Sequence, residues 1–194
     1  MKKTDTEDDR EEYDVPRTAD EIARRALVLH CVIAASHGVS RSDLTKWLKD
    51  EGLWKSASLR EQQFLSNSAP TEREMINATW RVEAQVALLW AIGKIPSLGS
   101  LSEQCDTGRI VDAIPELFGS TKAFIDSATV RDPAVISKEY EVVYNSHWKA
   151  RDAVRRELPI LEGIDLGIVQ ERHYGFNWLT GYCGQDWDDI TTDT

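Results

Sequence analysis

The sequence predicts an all-α fold: a single-domain bundle of about six to eight helices around a central apolar helix at about 71–94. Three observations carry that expectation. Helix-start signatures recur, with a Ser or Thr followed three residues later by Glu at Thr18/Glu21, Ser58/Glu61 and Thr71/Glu74, the pattern in which side chain and backbone cap each other. Apolar residues return at steps of three and four, as one face of a helix requires. No run of strict apolar/polar alternation, hairpin dipeptide or fixed-period repeat is present. A chain of 194 residues favours one domain and can bury about 70% of its unfolded surface without staples.

In chain order, residues 1–16 read as an acidic, disordered N-terminal tail, because their first fourteen positions are charged and polar with one aromatic and cannot offset the entropy of ordering. The domain then occupies 17–194. Thr18 caps a first helix carrying Ile22, Ala26, Leu29 and Ile33, which Gly38 stops. Ser40 caps a second through Leu44, Trp47 and Leu48 to Gly52, and Ser58 opens a short third with Phe64 and Leu65. After a Ser/Asn/Pro break at 66–70 comes the central helix, apolar on nearly every face from Ala84 to Ile92 and therefore buried by its neighbours. Residues 95–132 read as short helical turns broken by Pro96, Gly99, Gly108, Pro115 and Gly119. Asp132 and Pro133 cap and begin a long helix to about Glu157. A last helix spans about 167–183, followed by an acidic segment.

Charge is unevenly distributed. The net charge is −10, of which residues 1–14 carry −4, residues 186–194 another −4, and the body −2. A nearly neutral body argues against nucleic-acid binding, which needs a clustered Lys/Arg surface. Three cysteines without close spacing, Cys31, Cys105 and Cys183, suggest neither a disulfide framework nor a zinc knuckle and fit a reducing cytoplasm. The longest apolar stretch, 86–93, is far too short to span a bilayer, and no secretion signal is visible.

Metal binding by one helix needs ligands at i, i+3 or i+4. His30, His37, His147 and His173 have no Asp, Glu, Cys or His at those offsets, so no metal and no cofactor is expected. The phosphate-loop glycine patterns and the nucleophile elbow are likewise missing.

Polar residues at apolar registers are more informative. The long helix after Pro133 places His147 and Arg151 in a stripe with Ile136, Tyr140, Val143, Val154 and Leu158, so both are expected on its buried face. In the central helix Asn77 and Arg81 continue a stripe through Leu88, and Glu83 follows Trp80 toward Ala87. Arg172, His173 and Asn177 cluster in the last helix. Charges in such positions cost several kcal/mol unless paired, so these eight side chains are read either as a structural network fixing helix register or as a polar pocket. In the C-terminal segment, Trp187 and Ile190 stand amid carboxylates. They are expected to dock on the body, with Asp188 or Asp189 accepting hydrogen bonds from an Arg or a helix N-terminus.

These same segments carry a resemblance. Residues 25–38 (RALVLHCVIAASHG), 76–84 (INATWRVEA), 103–106 (EQCD), His147 and Trp148 with Arg151 and Asp152, 171–174 (ERHY) with 177–181 (NWLTG), and the closing Trp187, Asp188 and Asp189 with residues 192–194 resemble the bacterial family catalogued as domain of unknown function 4272 over about residues 17–194. The resemblance implies a soluble bacterial protein and brings no activity, substrate or cofactor with it. Two functions stay open on the sequence. One is a binding or interaction module for a protein partner or small ligand, in the manner of an immunity protein or antitoxin facing a basic toxin. The alternative is an enzyme in which His147 or His173 acts as general base, Arg81, Arg151 or Arg172 holds a small anionic substrate, and Glu83 orients a histidine. Convergence of these side chains on an open cavity favours the enzyme or ligand-binding reading, and mutual sealing and pairing the structural one.

Overall fold

In the computed structural model, residues 15–194 are described, and they form eight α-helices with no strand. These are α1 (Ala19–Ser36), α2 (Arg41–Asp50), α3 (Leu59–Ser66), α4 (Glu72–Ala91), α5 (Thr107–Ala113), α6 (Lys122–Asp126), α7 (Pro133–Arg155) and α8 (Leu166–Thr180), with single 3-10 turns at Trp54–Ser56, Tyr182–Gly184 and Trp187–Asp189. Most of the tail expected over residues 1–16 lies outside the described residues.

Local chemistry sets the helix starts. Thr18, Ser58 and Thr71 each accept the N–H of the Glu three residues on, and that Glu carboxylate accepts the cap's own N–H, so two orphan donors are satisfied at each end. The stops are equally specific. The central helix α4 ends at Ala91 rather than 94 because Gly93 turns left-handed at φ 73°, letting Lys94 N–H reach the Leu89 carbonyl at 2.9 Å and Gly93 N–H the Trp90 carbonyl at 3.0 Å. Arg131 completes that end from a distant loop. Its backbone N–H meets the Ala91 carbonyl at 2.8 Å, and its guanidinium donates to the carbonyls of Trp90 (2.6 Å) and Ile95 (2.9 Å).

The residues of α4 from Glu83 to Ala91 are buried without interruption, and α1 and α8 are its principal partners. Gln85 donates to the Ala26 carbonyl of α1 at 2.9 Å. On the opposite side Gly175 of α8 leaves room for α4: a Cβ there would stand 3.0 Å from the Ala84 carbonyl oxygen and 3.2 Å from the Ala87 Cβ. Outside this layer α7 packs along α8, while α2 and α3 pack beside α1. Gly181, at φ 76°, ends α8 under the incoming chain, whose Val15 carbonyl oxygen would lie 2.2 Å from any Cβ.

Two register expectations are corrected. The buried stripe of α7 runs Ile136, Val143, His147 and then Ala150, leaving Arg151, Val154 and Leu158 exposed. Tyr140 meets Asn177 and His147 meets His173, and Ala150 continues that face, so Arg151 turns away from it into an open pocket beside Trp148, Asp152 and Leu166 at the start of α8. In α4, Asn77 is exposed and Ala78 takes the buried place. Thr79 already contacts Ser36, the last residue of α1, so Asn77 lies beyond the end of that neighbour.

The close approach of α8 to α4 makes Gly175→Ala a direct test of their packing. The added methyl group should lower stability by about 1–3 kcal/mol, as overpacking of a tight core does, read as a fall in the denaturant midpoint with unchanged slope.

Candidate functional site

The polar side chains anticipated at core registers gather on α8. Arg172 sends Nε and Nη2 to one oxygen of Glu83 at 3.0 and 2.9 Å, and the other Glu83 oxygen accepts the Cys105 N–H at 2.8 Å. Both side chains have 0% exposure. On the neighbouring residues of α8 the polarity continues: Arg81 pairs with Glu171 at 3.1 Å while lying 4.3 Å over the Tyr174 ring. Burial raises the Glu171 carboxyl above the ordinary range, and the Arg81 guanidinium draws it partly back.

On the α7 side the Nδ1 atoms of His147 and His173 stand 2.9 Å apart. One ring must donate its proton to the lone pair of the other, and His147 Nε2 is sealed without a partner. Burial lowers both histidines to about 4, helped for His147 by Arg151 and for His173 by His147. His173 also meets Tyr144 edge-on, at 5.3 Å between centroids. Asn177 joins this layer to the chain's end: its Oδ1 accepts the Tyr140 hydroxyl at 2.6 Å and its Nδ2 donates to the Thr191 carbonyl at 2.7 Å.

The C-terminal segment lies on the same helix. Trp187 is buried edge-on against Tyr174 and Trp178, with the guanidinium of Arg25 at 4.7 Å and that of Arg81 at 5.9 Å from its ring. Tyr174 donates its hydroxyl to the Trp187 carbonyl. Asp188 accepts the Arg60 N–H at 3.0 Å, in the first turn of α3, where a carboxylate complements the helix dipole. Asp189 is exposed. Sequence reasoning about core registers missed Arg25, which is buried and pairs with Glu61 at 2.5 Å. Its signal was a charge inside the apolar run of α1, masked because its partner Glu61 had already been assigned to a helix cap. Glu61 performs both tasks with one oxygen, accepting Ser58 N–H as well.

Of the eight anticipated residues, the structure brings Arg81, Glu83, His147, Arg172, His173 and Asn177 into one layered network and leaves Asn77 and Arg151 at the surface. Glu83, His147, Arg172, His173 and Asn177 are each at most 1% exposed. Bulk solvent and a substrate have no access to them. Open surface lies beside them: a pocket of about 550 Å³ holds Arg151 with Trp148, Asp152 and Leu166, and a larger groove of about 810 Å³ runs between the start of α1, the start of α3 and the C-terminal segment. Five cations (Arg17, Arg24, Arg25, Lys55, Arg60), four carboxylates (Glu21, Asp186, Asp188, Asp189) and the rings of Trp178 and Trp187 line it. Among the described residues no group of three or more His, Cys, Asp and Glu is placed to hold a metal ion, and no helix is long and apolar enough to cross a membrane.

Two stability measurements follow. Arg172→Met leaves the Glu83 carboxylate buried and unpaired and should cost about 3–5 kcal/mol, whereas the double change Glu83→Leu with Arg172→Met should recover most of that loss, because a sealed ion pair gains little over apolar residues of similar size. Chemical denaturation of the three proteins checks this. Stability should also depend on acidity. His30, His147 and His173 are lowered by burial from 6.5 to about 4, so the unfolded chain binds more protons between those values. Stability is therefore full above about pH 6.5 and falls as the pH drops toward 4, and the slope should flatten in the double variant His147→Gln with His173→Gln.

No curated protein and no solved structure matches the chain. The profile of the family described as "Domain of unknown function (DUF4272)" matches residues 6–190 of 194, nearly the whole length and including every layer of the α8 network and Trp187. The chain belongs to the DUF4272 family.

Proposed function

We propose that the protein is a binding module whose groove between α1, α3 and the C-terminal segment takes a polypeptide segment carrying charges of both signs. The observation that carries this reading is a division of labour between interior and surface. The side chains suited to acid–base chemistry are spent on one another in the interior, while five cations, four carboxylates and two tryptophans line the groove, with the buried Arg25, Trp178 and Trp187 forming its floor. A single-sign ligand would meet repulsion from half of that lining, whereas a mixed-charge segment can place each charge opposite its complement. The aromatic component suits such a role as well. Among the described residues the indole N–H groups of Trp178 and Trp187 donate to no other group of the protein, so they remain available to an incoming carbonyl. An immunity-type or antitoxin-like role is one biological setting for such a module, and the mixed lining favours a partner of mixed charge over a uniformly basic one.

The test is a titration of the ¹⁵N-labelled protein with short synthetic peptides of alternating Glu and Lys, read at the indole N–H signals of Trp178 and Trp187. Saturable shifts there are expected. Lys55→Glu with Arg60→Glu should weaken them by about tenfold, equivalent to about 1.4 kcal/mol. Shifts confined to the surroundings of His147 and His173, or a groove that stays silent to every peptide, would overturn the reading.

A further inference from the structure

The buried face of α7 ends at Ala150, and an open pocket follows it. Four residues on, the same stripe brings Val154, which is 52% exposed and lines, together with Leu166 at the first position of α8, a pocket of about 550 Å³. Trp148 and Arg151 share that lining, and both are idle. Of the seven tryptophans of the chain Trp148 alone is exposed, at 47%. Among the described residues its indole N–H donates to no other group and its ring meets no other ring or cation. Arg151, also exposed, forms no ion pair and no hydrogen bond among the described residues. The neighbouring Asp152 does not engage it, being held by Arg155 at 2.6 Å and Arg156 at 2.9 Å. Segment 147–152 carries part of the family resemblance, yet the interior network takes only His147 from it. An uncompensated guanidinium therefore stands beside an exposed indole and two aliphatic side chains in one concave site of ordinary ligand size.

That pairing selects the ligand from two sides. A neutral apolar molecule covering Trp148, Val154 and Leu166 would also strip water from Arg151 and return nothing for it, and desolvating an unpaired charge is costly. A bare anion would satisfy Arg151 and leave the indole and the aliphatic side chains in water, forgoing the gain from their burial. A cation would be repelled by Arg151 and Arg155. A doubly charged phosphoryl group would find one free guanidinium, since Arg155 is already tied to Asp152, and its second charge would face that same carboxylate. A single carboxylate matches the two-pronged guanidinium without that surplus. We propose that the pocket between the end of α7 and the start of α8 binds a small monocarboxylate carrying an apolar ring, the carboxylate on Arg151 and the ring against Trp148, Val154 and Leu166. The site is separate from the mixed-charge groove and shares no lining residue with it.

The experiment titrates the full ¹⁵N-labelled chain, at constant ionic strength, with phenylacetate and with three probes that each lack one feature: 2-phenylethanol without the charge, acetate without the ring, and inorganic phosphate with a second charge in place of the ring. Saturable shifts of the Trp148 indole N–H and the Arg151 Nε–H are expected with phenylacetate, and each of the other three should bind more weakly by about tenfold or more. Arg151→Gln should bring the affinity for phenylacetate down to that for 2-phenylethanol. Trp148→Leu should weaken phenylacetate several-fold and leave acetate unchanged. Both side chains are exposed and unbonded, so the melting temperature should stay the same in each variant, and the second variant reads the site independently of the first. Acetate, phosphate or 2-phenylethanol binding as tightly as phenylacetate, shifts centred on Trp178 and Trp187 of the groove, affinity unchanged in both variants, or no saturable shift with phenylacetate would overturn the assignment.

Discussion

Two charges without exposure to water, Glu83 and Arg172, determine how the rest of the chain packs. Each costs several kcal/mol to bury alone, so α4 and α8 can pack only in the arrangement that brings them together. That arrangement then has consequences on both faces of α8. It places Gly175 against the backbone of α4, turns His173 outward to meet His147 on α7, and directs Tyr174 and Asn177 toward the C-terminal segment. A buried ion pair adds little net stability compared with apolar residues, and here its contribution is register: a helix slid by one residue would strand both charges.

The C-terminal segment depends on the same register through a stack of guanidinium and aromatic groups. Trp187 has Arg25 and Arg81 near its ring and Tyr174 and Trp178 against its edges, and each arginine is itself tied to a carboxylate, Glu61 of α3 or Glu171 of α8. One indole therefore joins α1, α3, α4 and α8. Guanidinium groups suit this position because they stack on rings while donating in plane to carboxylates. Apolar burial of the Trp187 ring and the hydrogen bonds of Asp188 and Thr191 act together, which a short terminal segment needs to offset the entropy of ordering.

What was legible in the sequence was what depends on near neighbours. Capping boxes, the Asp132 and Pro133 start and the apolar run of α4 act within one or two turns, and each sits where the spacing places it. Periodicity also found Glu83, Arg172, His173 and Asn177, because a polar residue on an apolar face is a local anomaly. It failed for Asn77, whose face is bare because α1 stops short of it, and for Arg151, because Ala150 continues the buried face after His147. No pattern within α4 encodes the last residue of α1, and periodicity alone allows a step of three or four after His147. Arg131 was invisible for the same reason: its task, closing the end of α4, belongs to a helix about forty residues away in the chain. Arg25 was hidden by economy, since one Glu61 oxygen both caps α3 and neutralises it.

The interior and surface chemistry of this molecule are related by exclusion. A histidine lowered to about 4 is a neutral imidazole at physiological pH, a suitable base on ionisation alone, yet the His147 and His173 rings spend Nδ1 on each other and face no solvent. Access decides the matter before basicity does. The groove differs from that network in how its charges are already used. In the groove the free end of α3 is occupied by the chain's own Asp188, so an incoming anion there would have to compete with an intramolecular carboxylate held close by Trp187. An intramolecular anion makes the groove selective for ligands that work with its charges rather than replace them.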